Sequence, residues 1–74
     1  MKKGKIYKEI NSTHNLVVMC IRPYVDTFEG VIIGSKQLDL IGVYSSLFNV
    51  KKFTEYIGPF NINNVLIDCI TNNN

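Results

Sequence analysis

The chain has no tryptophan, a single histidine, two cysteines and two prolines among its 74 residues. Each scarcity removes a class of chemistry. His14, Cys20 and Cys69 lie far apart, so neither a four-ligand zinc set nor a C-x-x-C redox pair can be assembled, and no metal or cofactor is expected. Nucleotide and hydrolase signatures are missing too: there is no G-x-S-x-G, no G-x-G-x-x-G and no G-K-[ST]. His14 falls in a polar turn with no serine or cysteine nucleophile at a motif spacing. The acids stand singly, and Asp26 with Glu29 is a working pair only in the sense that any two exposed carboxylates are. An enzyme is not expected. Long apolar runs are lacking as well. The uncharged stretches 11–21 and 31–35 are too short and too polar to span a bilayer, so no membrane association is expected. Residues 1–8 are basic but lead into Glu9 and Asn11 rather than an apolar stretch with a cleavage site. A signal peptide is therefore not expected, and the protein should stay in the cytoplasm. In that compartment Cys20 and Cys69 read as small buried hydrophobes, with a cross-strand disulfide as the alternative.

What is present is a composition that can fold. With 46% hydrophobic and 19% charged residues, the chain is too apolar for disorder. A chain this short buries only about 60% of the surface its unfolded form exposes, so one domain over 1–74 is expected, with 1–4 and 71–74 as tails. The formal charge of +2 is unevenly spread. Lys2, Lys3, Lys5 and Lys8 crowd the first eight residues. From Glu9 onward four basic residues face six acidic ones, a balance of −2. Any broad attraction to nucleic acid must therefore come from the N-terminal arm, whose other reading is a solvated tail.

Residues 5–10 alternate imperfectly and predict an edge strand. The cluster Asn11-Ser12-Thr13-His14-Asn15 predicts a turn, because short polar side chains there hydrogen-bond the local backbone. Residues 16–21 are continuously apolar and β-branched, predicting a central strand buried on both faces and ended by Pro23. A strand over 28–33 follows, its Gly30 and Gly34 marking a bulge or bend. After a turn at 35–37, residues 38–44 alternate and predict a third strand of a meander, with Gly42 interrupting the side-chain row.

Beyond Tyr44 the period changes. Leu47, Val50, Phe53 and Ile57 recur at three- and four-residue steps, predicting a short helix over 50–57. Asn49 is its N-cap, Phe48 a staple onto Phe53, and Gly58-Pro59 a stop. Residues 65–70 predict a closing strand. Five short strands cannot bury a flat sheet, so a small, strongly bent antiparallel barrel is expected, with one short helix before the last strand. Lys51 and Lys52 would open that helix against its dipole, a misplacement worth about 0.3–1 kcal/mol each. Two readings follow, an anion site and a solvated, slightly frustrated surface. Most of the aromatic residues must be core. Tyr24, beside Pro23 in a loop, is the best candidate for an exposed contact residue.

The stretch Gly42-Val43-Tyr44-Ser45-Ser46-Leu47-Phe48-Asn49-Val50-Lys51-Lys52-Phe53-Thr54-Glu55-Tyr56 resembles small uncharacterised proteins from phages, plasmids and integrative elements of Gram-positive bacteria. These show Gly-x-Tyr-Ser, then an aromatic residue followed by Asn, and a Phe four residues beyond that Asn. Here Phe48 stands where a tryptophan is expected. The resemblance implies a Src homology 3-like barrel and a bacterial mobile-element setting. It carries over no functional residues. Taken together, the chain is expected to be a mainly β, non-enzymatic binding or regulatory module that contacts a protein partner. The alternative is a nucleic-acid-binding barrel. The candidate contact residues are Lys2, Lys3, Lys5, Tyr24, Lys51 and Lys52.

Overall fold

The computed structural model describes residues 1–11 and 13–57, which form one open sheet of five antiparallel strands. The strands are β1 (Ile6–Glu9), β2 (Val17–Pro23), β3 (Thr27–Gly34), β4 (Tyr44–Asn49) and β5 (Phe53–Glu55), in the spatial order β4-β3-β2-β1-β5. Two single 3₁₀ turns, η1 (Leu38–Leu40) and η2 (Val50–Lys52), precede β4 and β5. Asn11 and Asn15 take φ of 55° and 50°, left-handed conformations that asparagine tolerates, and so reverse the chain between β1 and β2 as expected.

The inner face is built by alternation. On β3, Phe28, Gly30, Ile32 and Gly34 are buried in turn. They join Tyr7 of β1 and Val18 and Cys20 of β2, and Phe48, Val50 and Phe53 pack against this cluster from the chain beyond. Phe28 is fully buried at its centre. Its ring lies 6.0 Å from that of Tyr7, 5.3 Å from Phe48 and 5.1 Å from Phe53, the last edge-on. Aromatic pairs in such tilted arrangements add attraction beyond the area they bury.

Gly30 lets β2 and β3 close over this cluster. A Cβ there would stand 2.5 Å from Val18 Cγ1 and 2.7 Å from the Met19 carbonyl oxygen. The strands are also irregular where the glycines predicted bending. Register shifts fall between Cys20 and Arg22 on β2, between Val17 and Val18, and between Phe28 and Gly30 on the β3–β4 ladder.

Four expectations are corrected. Residues 38–44 are not a strand: successive turn bonds join Leu40 to Gln37, Ile41 to Leu38 and Val43 to Leu40. The chain then enters β4 through Gly42 at φ +94°. The Gly42 N–H donates to the Ile32 carbonyl while the Ile32 N–H donates to that of Val43, which is a glycine-type bulge requiring positive φ. Residues 50–57 are not a helix. The Val50-to-Phe53 spacing is met by one 3₁₀ turn, in which side chains three apart eclipse, and the chain then pairs as β5 with β1. Asn49 still caps, its Oδ1 accepting from the Lys51 N–H at 2.9 Å, and Phe48 still meets Phe53, ring to ring at 5.7 Å. β1 is not an edge strand, since β2 and β5 flank it. Finally, β2 is central but not buried on both faces. On its outer side Val17 packs with Ile6, Ile33 and Tyr56, while Met19 and Ile21 remain exposed. The expected stop at Gly58-Pro59, the closing strand over 65–70, the tail 71–74 and Cys69 lie outside the described residues.

Two glycines can be tested. Gly30→Ala should lower unfolding stability by about 2 kcal/mol through overpacking of Val18 and the Met19 carbonyl. Gly42→Ala, which meets open space but keeps the strained φ, should lose about 1 kcal/mol. Urea denaturation at unchanged m-value checks both.

Candidate functional site

The outer surface of β3 is fixed by its inner one. Because Phe28 and Gly30 point inward, Glu29 between them faces out. Arg22 stands opposite it on β2. Immediately after β2 the chain turns, with the Tyr24 N–H donating to the Thr27 carbonyl at 2.9 Å, and this brings Tyr24 back over β3. From the other side, Tyr44 pairs with Val31 at the start of β4.

These three elements converge on one carboxylate. The Tyr24 hydroxyl donates to Glu29 Oε1, and the Tyr44 hydroxyl donates to Glu29 Oε2 at 2.6 Å. Each oxygen thus takes one phenol. The Tyr24 and then the Tyr44 hydrogen bond hold the Glu29 pKa below the ordinary carboxylate value, with the Arg22 charge adding to the effect. The same hydrogen bonds to Glu29 push both tyrosine pKa values up. A depressed carboxylate stabilises the fold above its ordinary pKa and loses that contribution as pH falls through the depressed one. A raised phenol contributes below its ordinary pKa and loses it as pH rises through the raised one. The clamp is therefore intact between the carboxylate and phenol ranges.

Both rings stay available, with Tyr24 49% and Tyr44 54% exposed. Val25, next to Tyr24 in the turn, is 91% exposed, and Leu47, three residues beyond Tyr44 on β4, is 79% exposed. The result is an apolar, aromatic patch with an ionised centre that is already hydrogen-bonded.

Of the residues singled out by sequence, only Tyr24 belongs to this patch. Lys2 and Lys5 line a separate cavity of about 340 Å³ with Tyr7, Val50, Phe53 and Glu55. There the Lys2 N–H donates to the Tyr7 hydroxyl at 2.8 Å, and Lys5 Nζ lies 3.9 Å from Glu55 Oε2. Lys3 is exposed in the turn ahead of β1, and Lys51 and Lys52 are exposed on η2. With no helix over 50–57, the last two do not oppose a helix dipole, and the anion site built on that helix loses its basis. Glu29, the acid set with Asp26 in the sequence, accepts from both tyrosine hydroxyls. It serves the tyrosines, while the Asp26 carbonyl accepts from the Val50 N–H at 3.0 Å. Glu29 and Tyr44 were missed as site residues. The only signal for them is alternation on β3, together with a β4 that starts, rather than ends, at Tyr44.

Among the described residues no group of three or more His, Cys, Asp or Glu is placed to hold a metal ion, and no helix is long and apolar enough to cross a membrane. Comparison with family models, curated proteins and solved structures finds no match. Function must be read from the residues.

The clamp is directly testable. Glu29→Gln removes the charge that holds the two phenols protonated, so the tyrosinate absorbance of the variant should appear at lower pH than in the wild type. An unchanged titration would mean that Glu29 does not hold the tyrosines in solution.

Proposed function

We propose that this chain is a non-enzymatic binding module that contacts a protein partner through the Tyr24–Glu29–Tyr44 patch. The observation that carries the reading is the double clamp. Tyrosine dominates protein interfaces because it offers a large, amphipathic contact area at low entropic cost, and here both rings are held before any partner arrives. Val25, adjoining Tyr24 in sequence, and Leu47, further along β4 from Tyr44, add exposed apolar side chains on the same two segments. A mainly β scaffold with one short helical turn before β5 and with β1 between β2 and β5 supports the Src homology 3-like reading of the fold, and we propose that small barrel as the scaffold.

The nucleic-acid reading, using the lysine arm with Lys51, Lys52 and Tyr24, has less support. The Tyr24 hydroxyl is bound to the Glu29 carboxylate, a charge that repels phosphate. Lys5 is partly compensated by Glu55. The net charge after the arm is negative.

Capture from a lysate of the source organism, with wild-type bait and a Tyr24→Ser/Tyr44→Ser bait, tests the proposal. A partner retained by wild type under nuclease treatment should bind the double variant at least about tenfold more weakly, the loss of roughly 1–2 kcal/mol that one interface tyrosine typically carries. Loss of all capture under nuclease, or a steep fall in binding with salt that deletion of residues 1–5 removes, would establish the nucleic-acid reading instead.

A further inference from the structure

We infer that the Tyr24–Glu29–Tyr44 patch takes an arginine side chain of its partner, the guanidinium seated on the Glu29 carboxylate between the two phenols. This rests on the patch being the partner site and names the chemistry recognised there. An ionised carboxylate offers about four acceptor sites, shared between its oxygens. Among the described residues the donors to Glu29 are the two phenols, Tyr24 on Oε1 and Tyr44 on Oε2. Each oxygen therefore keeps an open site. Two open acceptors side by side on one carboxylate are what a guanidinium fork meets with two parallel N–H donors.

The rings supply the rest of the contact. Tyr24 follows β2 and Tyr44 opens β4, the strands on either side of β3, so the phenols reach Glu29 from opposite flanks of its strand. Both rings are about half exposed. Each stands one hydrogen bond from the carboxylate, so a cation held on Glu29 sits beside two aromatic rings, whose faces attract guanidinium more often than ammonium. Because both hydroxyls are already bound, the rings are in place before the cation arrives, and little ordering is left for it to impose.

The chain's own arginine does not fill this place. Arg22 stands opposite Glu29 on the ladder, but its guanidinium lies at the Tyr24 hydroxyl and acts on Glu29 through its charge alone. Among the described residues Glu29 has no ion pair. The wider field also suits a cation: from Glu9 onward the chain carries four basic and six acidic residues, so a positive side chain approaches a surface of opposite sign. Lysine fits less well, because a single ammonium brings one point charge to two separate acceptors. An anionic side chain would meet Glu29 with like charge.

NMR titration of the isotope-labelled full-length chain with N-acetylarginine amide tests the inference. A single residue should bind weakly, with a Kd on the order of 10 mM, and should shift the resonances of Tyr24, Glu29 and Tyr44 to saturation. N-acetylcitrulline amide, which keeps the shape of arginine without its charge, should bind at least about tenfold more weakly, and N-acetyllysine amide about threefold more weakly. Glu29→Gln, at a solvent-facing position, should keep the dispersed spectrum of a folded chain and lose the preference for arginine over citrulline. The inference is overturned if arginine amide shifts none of the three residues up to about 100 mM, or if citrulline or lysine amide binds as tightly. A folded Glu29→Gln chain that binds arginine amide as the wild type does would overturn it too, and the citrulline comparison needs no variant. Because the probe is one amino acid, its result is separate from partner capture: arginine amide can bind where no protein is captured, and a tyrosine-dependent partner can be captured where arginine amide does not bind.

Discussion

The packing of one ring, Phe28, holds the rest of the structure in place. Tyr7 from β1, Phe48 from β4 and Phe53 from β5 reach it from three different strands, and Phe48 and Phe53 also touch each other edge-on. The last two of these rings lie on either side of η2, so a single turn suffices to swing the chain from the β4 edge to the β5 edge around the core. Gly30 completes the arrangement by omission, since any side chain there would occupy the space that Val18 fills against Phe28.

The patch is a consequence of the same strand. Strand alternation means that a residue next to a buried Phe28 must face outward, and in this chain that residue is Glu29. Two irregularities then bring the tyrosines to it. β2 carries an extra residue, Ile21, before Arg22 comes opposite Glu29, and β4 carries an extra residue between Ser45 and Phe48. Bulges increase twist and re-aim the side chains that flank them. The inner requirement to wrap Phe28 and the outer convergence on Glu29 thus share the same backbone distortions.

Sequence reasoning recovered the parts of the fold that depend on local chemistry. The asparagine-rich turn, the apolar run of β2, the strand over 28–33 with its glycine-marked irregularity and the Asn49 cap are each written in a few adjacent residues. It failed where two periods agree over a short window. Leu38 and Leu40 alternate like a strand but sit on successive turns, because Gly42 must supply a positive φ to enter β4. Val50 and Phe53 recur like a helix but need only one 3₁₀ turn to face the core together. Ser45 and Ser46 hid β4, since an edge strand with small polar residues shows no apolar row. The patch was only half visible for the same reason. Tyr24 announced itself beside a proline, whereas Glu29 and Tyr44 become partners only once the register between β3 and β4 is known.

Tyr44 links the edge of the sheet to its surface. Tyr44 stands opposite Val31 on the ladder while its hydroxyl is bound to Glu29, so whatever orders the strand also orders one wall of the clamp. Edge strands held from one side only are drawn from the less stable end of a fold. A ligand that grips Tyr44 would meet a ring whose hydroxyl is already bound and would have less ordering left to do. Linkage makes the effect reciprocal: a ligand on Tyr44 must favour the ordered strand by the same factor by which the ordered strand favours the ligand.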